Sequence, residues 1–304
     1  MRRAFVAAWV IAPLMAFAQA LPTSVRDALA RAGVPEAAVG IVVEPVEGAP
    51  LIAHNANRAL NPASVIKLVT TYAGLDLLGP AFTFKTQFVT TGELKGGELA
   101  GDLVVRGGGD PKLTYERLWQ AAHQLRARGL RDIRGDVILD RGYFAPIAHD
   151  PAKFDGDVRR AYNVGPDALL VNFKAIEFRF IPDENGVRVV AEPDLPTVAV
   201  ASRLQPVKEA CGAWRRNLRY EIEELGLLAT VVFSGTYPVE CGEKAWALSV
   251  FDADRYTENV FRWVWTEAGG KILGKVRAGS APVEAKLFYT HESEPLADLV
   301  RGIN

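Results

Sequence analysis

Histidine is scarce in this chain. Its four copies (His54, His123, His149 and His291) are scattered with no pair at ligand spacing, so metal is not expected. Net charge is nearly absent too. A formal −1 over 304 residues removes the electrostatic reason to expect nucleic acid or a membrane surface as partner. Low-complexity and highly charged runs are missing, which excludes a disordered chain. Beyond the first twenty residues no uninterrupted apolar run is long enough to span a bilayer, so a soluble mature chain is expected. A nucleotide cofactor is not expected either. "VVRGGGDPKLTYERL" has a strand, glycines and a helix in order, but neither the P-loop ending nor G-x-G-x-x-G, and it reads as a strand-to-helix turn.

What is present starts at the N-terminus. "MRRAFVAAWVIAPLMAFAQA" carries Arg2 and Arg3, a short apolar run broken by Pro13, and the small-residue site Ala18-Gln19-Ala20. That order reads as a signal peptide over residues 1–20, cleaved near Ala20, with an uncleaved anchor as the alternative. Export suits the two cysteines. An oxidising compartment favours pairing Cys211 with Cys241, which would stabilise the fold by roughly 3–4 kcal/mol; two unrelated buried thiols are the alternative.

Along the chain, Thr23 to Arg31 reads as a helix closed by Gly33. "VGIVVEPV" and "PLIAHNANR" read as a hairpin joined by "EGA". A second helix begins with Asn61 as N-cap and Pro62 in the first helical position, and stops at Gly79-Pro80. Texture changes near Phe82 to strands and glycine turns. "GDLVVRGG" (101–108) and "GDVILDRG" (135–142) echo each other on either side of an amphipathic helix built on Leu118, Ala122, Leu125 and Leu130, which predicts a β-α-β unit. Further strands run from Leu169 through Leu248, including "AIEFRFI", "VRVVAE", "LRYEIEEL" and "LATVVFSG". Asp252 to Thr266 is helical in period, and "PLADLVRGIN" opens a last helix.

The second helix holds the chemistry. "NPASVIKLV" sets Ser64 three residues before Lys67, on one helix face with Cβ atoms about 5–6 Å apart. Serine attacks only when a base takes its proton, and lysine is that base only when neutral. Val65, Ile66, Leu68 and Val69 make the helix apolar nearly all round. That composition argues for burial, which lowers a lysine pKa. Ser64 also lies in the first turn, where the helix dipole favours a developing alkoxide. With 7 serines and 11 lysines, chance alone places about one S-x-x-K in every four such chains, so the context carries the signal.

Around this motif the chain resembles the D-alanyl-D-alanine carboxypeptidase/endopeptidases of the class C low-molecular-mass penicillin-binding type. "NPASVIKLVTTYAGLDLLGP", "GDLVVRGGGDP", "YNVGPDALLVNF", "SGTYPVECGEKAW" and "PLADLVRGIN" carry the likeness over nearly all of the mature chain. The resemblance implies an α/β (α+β) fold, a penicillin-recognising serine transpeptidase-like domain interrupted by a large mixed α/β insertion. Residues 21–82 and 285–304 would form an incomplete catalytic domain, and 83–284 an insertion of two subdomains. It implies Ser64 as acylated nucleophile and Lys67 as proton acceptor, acting on peptidoglycan stem peptides ending in D-Ala-D-Ala, with β-lactams as covalent inhibitors and a periplasmic location. The resemblance also implies that Asp157 and Tyr162 in "GDVRRAYN", which have the five-residue spacing of the family's aspartate and aromatic residue, hold the wall peptide's diamino acid side chain. The alternative for that pair is a solvated loop aspartate and a packed tyrosine.

Two family motifs are missing. No serine or tyrosine is followed two residues later by asparagine, and "KTQ" at Lys85 and "KGG" at Lys95 stand in the wrong region for K-T-G. The expectation is a sequence truncated within the last helix, with an exposed Ser64 helix and little peptidase activity of its own. A noncatalytic wall-binding protein and a β-lactamase are the alternatives. The long insertion argues against the latter.

Overall fold

The computed structural model describes residues 20–304. The expected leader, apart from Ala20, lies outside them. The chain forms two units, one ending at Tyr72 and the other running from Ala73 to Asn304.

In the first unit, helix α1 (Thr23–Arg31) ends where Gly33 takes φ +65°, a conformation a side chain resists. Strands β1 (Ile41–Val43) and β2 (Ile52–His54) pair antiparallel, with Ile41 opposite His54. The side chain of Asn55 closes this hairpin onto the preceding turn, donating to the Val39 and Glu36 carbonyls at 2.8 and 3.1 Å. A 3-10 turn over Ala63–Val65 then leads into helix α2 (Ile66–Leu78).

The second unit is layered. Strands β3 (Lys85–Thr90), β4 (Leu94–Lys95), β5 (Glu98–Leu99) and β6 (Leu103–Arg106) precede helix α3 (Tyr115–Ala127), and β7 (Asp132–Ile133) and β8 (Val137–Asp140) follow it. Next come β9 (Ile176–Asp183), β10 (Gly186–Glu192), β11 (Val198–Val207), β12 (Leu218–Leu225), β13 (Leu228–Pro238) and β14 (Lys244–Leu248). Helix α4 (Ala253–Glu267), β15 (Lys271–Ile272), β16 (Val276–Ala278), β17 (Lys286–Glu292) and helix α5 (Leu296–Ile303) complete it.

The expected β-α-β unit is β6-α3-β8, whose strands are parallel neighbours with Leu103 opposite Val137. A third copy of the echo, missed in the sequence, lies in "KILGKVRAG": β16 pairs parallel with β8, and Val276 stands opposite Val137. Each copy is a short strand, a glycine and a longer strand. The short strands align as β15-β7-β5, extended by β4, and the longer ones as β16-β8-β6, extended by β3 and β17. The glycines are required. A Cβ on Gly135 would meet the Gly101 carbonyl oxygen at 2.6 Å, and one on Gly274 would strike the Gly135 carbonyl. Helices α3 and α4 contribute Leu118, Leu125, Phe261 and Trp265 to the core with Phe88, Val105 and Leu139 of the sheet.

Two three-stranded sheets, β10-β9-β14 and β11-β13-β12, carry the rest of that core through Phe178, Phe180 and Phe233. Cys211 and Cys241 form a disulfide between the loop after β11 and the turn after β13. Beyond the seam expected at residue 285, β17 pairs antiparallel with β3. The α5 start is hydrogen-bonded to the chain after α2, Leu296 N–H donating to the Phe82 carbonyl at 2.8 Å. The protein is a mixed α/β chain, as its sequence leads one to expect.

Candidate active site

The α2 entrance is built by short-range bonds. Asn61 Oδ1 accepts from the Ala63 N–H at 3.0 Å, and the Pro62 carbonyl accepts from the Val65 N–H at 2.9 Å. Ala63 sits at φ +44°, a strained position for a residue with a Cβ, directly before Ser64. Lys67 is the second residue of α2, one turn beyond the serine. A 3-10 turn eclipses positions three apart, so the entry geometry and the S-x-x-K spacing bring both side chains to one side.

The burial expected of this helix is absent. None of its residues is buried; Ser64 and Lys67 are exposed, and Val65, Leu68, Val69 and Tyr72 are 61–71% exposed. The reason is non-local. An all-round apolar helix has no face of its own to hide, so its burial depends on elements packed around it. Desolvation of Lys67 is therefore not supplied by the described residues.

Asp157 and Tyr162 lie in the second unit, in the loop after β8. Three aspartates shape this loop by one device: Asp150, Asp155 and Asp157 each accept from the backbone N–H two residues on, at 2.9, 3.1 and 3.0 Å. Asp157 is half-buried, and its backbone carbonyl also accepts from Asn163 Nδ2 at 2.9 Å. Tyr162 is 72% exposed, with its ring 5.8 Å from that of Phe154 and the Arg160 guanidinium 5.8 Å above it.

Sequence reading missed Asp155. It bonds the Asp157 N–H, Asn163 Nδ2 at 2.6 Å and Arg160, and the backbone bond from Asp157 leads in holding its carboxyl below the usual range. The D-x-D spacing of Asp155 and Asp157 was the available signal. Arg159 anchors the loop through Glu224 at 2.6 Å and the Val250 carbonyl.

Among the described residues no three His, Cys, Asp or Glu side chains gather as a metal site. The glycine run after β6 serves packing. A Cβ on Gly107 or Gly108 would strike the Ala168 or Lys85 carbonyl. A cavity of about 640 Å³ lined by Arg141, Phe144, Ile147, Asp167 and Lys174 includes none of the four expected site residues.

The model of the D-Ala-D-Ala carboxypeptidase 3 (S13) family matches residues 21–304. The chain belongs to that family. This S13 chain is 26% identical over 275 residues to D-alanyl-D-alanine carboxypeptidase DacB of Haemophilus influenzae, covering 86% of itself and 55% of that protein. It is 35% identical over 270 residues to the D-alanyl-D-alanine carboxypeptidase of Actinomadura sp. strain R39, covering 86% of itself and 49% of that protein. The S13 chain thus spans about half the length of the curated relatives it matches. In fold it is similar to the crystal structure of penicillin binding protein 4 from H. influenzae, with TM-score 0.66 at 22% identity, over 86% of this chain and 57% of that one. A second crystal structure of that protein, complexed with a β-lactam, gives TM-score 0.55 at 21% identity, over 78% of this chain and 50% of that one. Among the described residues of the S13 chain no helix is long and apolar enough to cross a membrane.

Proposed function

We propose that this chain is part of a serine-type D-Ala-D-Ala carboxypeptidase/endopeptidase acting on peptidoglycan stem peptides. The observation that carries the reading is Ser64 and Lys67 one turn apart at the bonded entrance of α2, in a chain of the S13 family. Neutral Lys67 takes the Ser64 proton. The Ser64 oxygen attacks the carbonyl of the penultimate D-Ala, the terminal D-Ala departs with a proton, and water releases the acyl-enzyme. The Ser64 N–H supplies one donor to the developing oxyanion. Among the described residues nothing buries the Lys67 side chain. The S-x-N and K-T-G motifs are likewise absent from these 304 residues.

In this reading Asp157 meets the ammonium of the diamino acid side chain, and the Tyr162 hydroxyl bonds its carboxylate. The protein acts in the periplasm after losing a signal peptide near Ala20, and the Cys211–Cys241 disulfide suits that oxidising compartment. β-Lactams acylate the same serine.

The test is covalent labelling of the product of the whole reading frame by a fluorescent penicillin, with peptide mapping of the adduct. The adduct is expected on Ser64 and is lost in Ser64→Ala. An adduct on another residue, or undiminished labelling of Ser64→Ala, overturns the reading.

A further inference from the structure

The cavity of about 640 Å³ lies in the second unit, between the loop after β8, the segment leading into β9 and the start of α4. Its size falls within the about 300–1,000 Å³ of small-molecule sites. Phe144, Ile147 and Leu170 give it an apolar wall, and three charged residues share the lining: Arg141, Asp167 and Lys174. Two of these answer each other. Arg141 Nε donates to one Asp167 carboxylate oxygen at 2.9 Å, and the other oxygen accepts from the Leu169 N–H at 2.8 Å. The rest of the Arg141 guanidinium is also engaged, by the Ala253 carbonyl and the Thr257 hydroxyl at 3.1 Å and by the Asp254 carboxylate at 2.7 Å.

Lys174 is the unmatched charge. Its half-buried side chain makes no hydrogen bond or ion pair among the described residues. Unlike the sealed polar atoms of the core, its amine is open to solvent. Burial leads in pushing its pKa below 10.5, while Asp252 and Asp167 pull the other way and Arg159 adds to the lowering. Asp167 is on the cavity lining, so the amine stands near enough to this cavity to feel its charge. Both carboxylates are already held by arginines, Asp252 by Arg255 at 2.7 Å and Asp167 by Arg141.

The backbone points the same way. Asn172, Phe173 and Lys174 sit at φ +46°, +54° and +52°, three successive left-handed residues with no glycine among them. Such positions are costly, persist only where their surroundings hold them, and gather at ligand sites. Here Asn172 Nδ2 donates to the Ala175 carbonyl at 3.0 Å and to the Tyr256 hydroxyl at 3.1 Å. A strained, pinned turn thus keeps a lone cation at the wall of an apolar cavity, where a charge without a counterion is unfavourable.

We propose that this cavity binds a small carboxylic acid with an apolar body, its carboxylate accepting from the Lys174 amine and its body lying against Phe144, Ile147 and Leu170. An N-acyl amino acid and a fatty acid share that chemistry. The site makes no use of Ser64 or Asp157, so it stands or falls separately from the acyl-transfer reading.

Saturation-transfer NMR and calorimetry on the product of the whole reading frame test it. The probes are N-acetyl-leucine and octanoate, with N-acetyl-leucinamide and octanamide as uncharged controls. Millimolar or tighter binding of at least one acid is expected. Its amide should bind about tenfold or more weakly, the weight of one charge-assisted hydrogen bond. Tighter binding of N-acetyl-leucine assigns the site to a peptide end, and tighter binding of octanoate to a fatty acid. Lys174→Met, which removes the charge while keeping an unbranched side chain, weakens the acid to the level of its amide, and Lys174→Arg recovers part of the loss. Ile147 is 68% exposed, so Ile147→Asp sets a repelling charge on the wall without disturbing the core, and it also weakens the acid. Ser64→Ala leaves binding unchanged. No binding of either acid, equal affinity for acid and amide, or undiminished affinity in Ile147→Asp or in a folded Lys174→Met would each overturn the proposal.

Discussion

The Asp102 carboxylate accepts a hydrogen bond at 2.7 Å from the backbone N–H of Asp136, the residue in the same place one repeat later. Asp136 does the same for Lys275 at 2.9 Å. The Arg277 guanidinium, bonded to Asp136 at 2.7 Å, leads in holding that carboxyl below the usual range. Removing the acceptor in Asp102→Ala is expected to cost about 1–2 kcal/mol, while Asp102→Asn, which keeps an acceptor oxygen, costs less. Urea unfolding with an unchanged slope checks this.

Gly135 is confined by backbone of the neighbouring repeat, with the Gly101 carbonyl carbon 2.7 Å from where its Cβ would stand. Gly135→Ala is therefore expected to lose about 3 kcal/mol. Gly302 in α5 has open space around it, and Gly302→Ala is expected to be neutral or to gain up to about 1 kcal/mol. Equal urea midpoints for the two variants would contradict the repeat packing.

His291 on β17 is buried with Nε2 unpartnered, and burial leads in pushing its pKa below 6.5 although Asp110 pulls the other way. Arg117 also faces it and adds to the lowering. Asp110, itself pushed above 3.8 chiefly by burial, feels Arg117 and Glu294. A lowered histidine binds fewer protons folded than unfolded. Its contribution is complete above about pH 6.5 and is lost as pH falls toward the folded value. Asp110 acts oppositely in a more acidic window, above 3.8. Thermal melts should show stability falling below about pH 6.5, and His291→Gln should flatten that limb.

Asp157 bonds the Arg159 N–H through one carboxylate oxygen. Asp157→Asn can keep that acceptor while removing the charge. On the proposed role, KM for stem peptides carrying a free side-chain ammonium rises about tenfold or more, with the melting temperature unchanged. A fall in stability with KM constant would leave the residue a turn former.

Much of the fold was legible because its signals are local. The helical period from Asp252 to Thr266 and the Leu118–Leu125 stripe marked α4 and α3 directly. The third repeat escaped because Lys275 replaces the aspartate that made the first two look alike. The helix start was displaced, with α2 beginning at Ile66 after a 3-10 turn over Ala63–Val65, while the spacing of Ser64 and Lys67 was legible. Their exposure was not, because α2 is apolar on all sides and periodicity says nothing of what packs there. Asp157 was legible only as a spacing. Its dependence on Asp155 and Arg159 comes from hydrogen bonds between turns.

The lysine that ends the aspartate series also finishes the sheet. Lys275 donates its backbone N–H to the Asp136 carboxylate of the repeat before it but offers no carboxylate to a further one, and among the described residues β16 is the outermost strand on that side. Open sheet edges invite pairing with other chains, and lysine is a common deterrent. The substitution that hid the third repeat thus works as a terminator: it lets a stackable unit be used three times and then stop, leaving a charged border where a fourth strand would otherwise add.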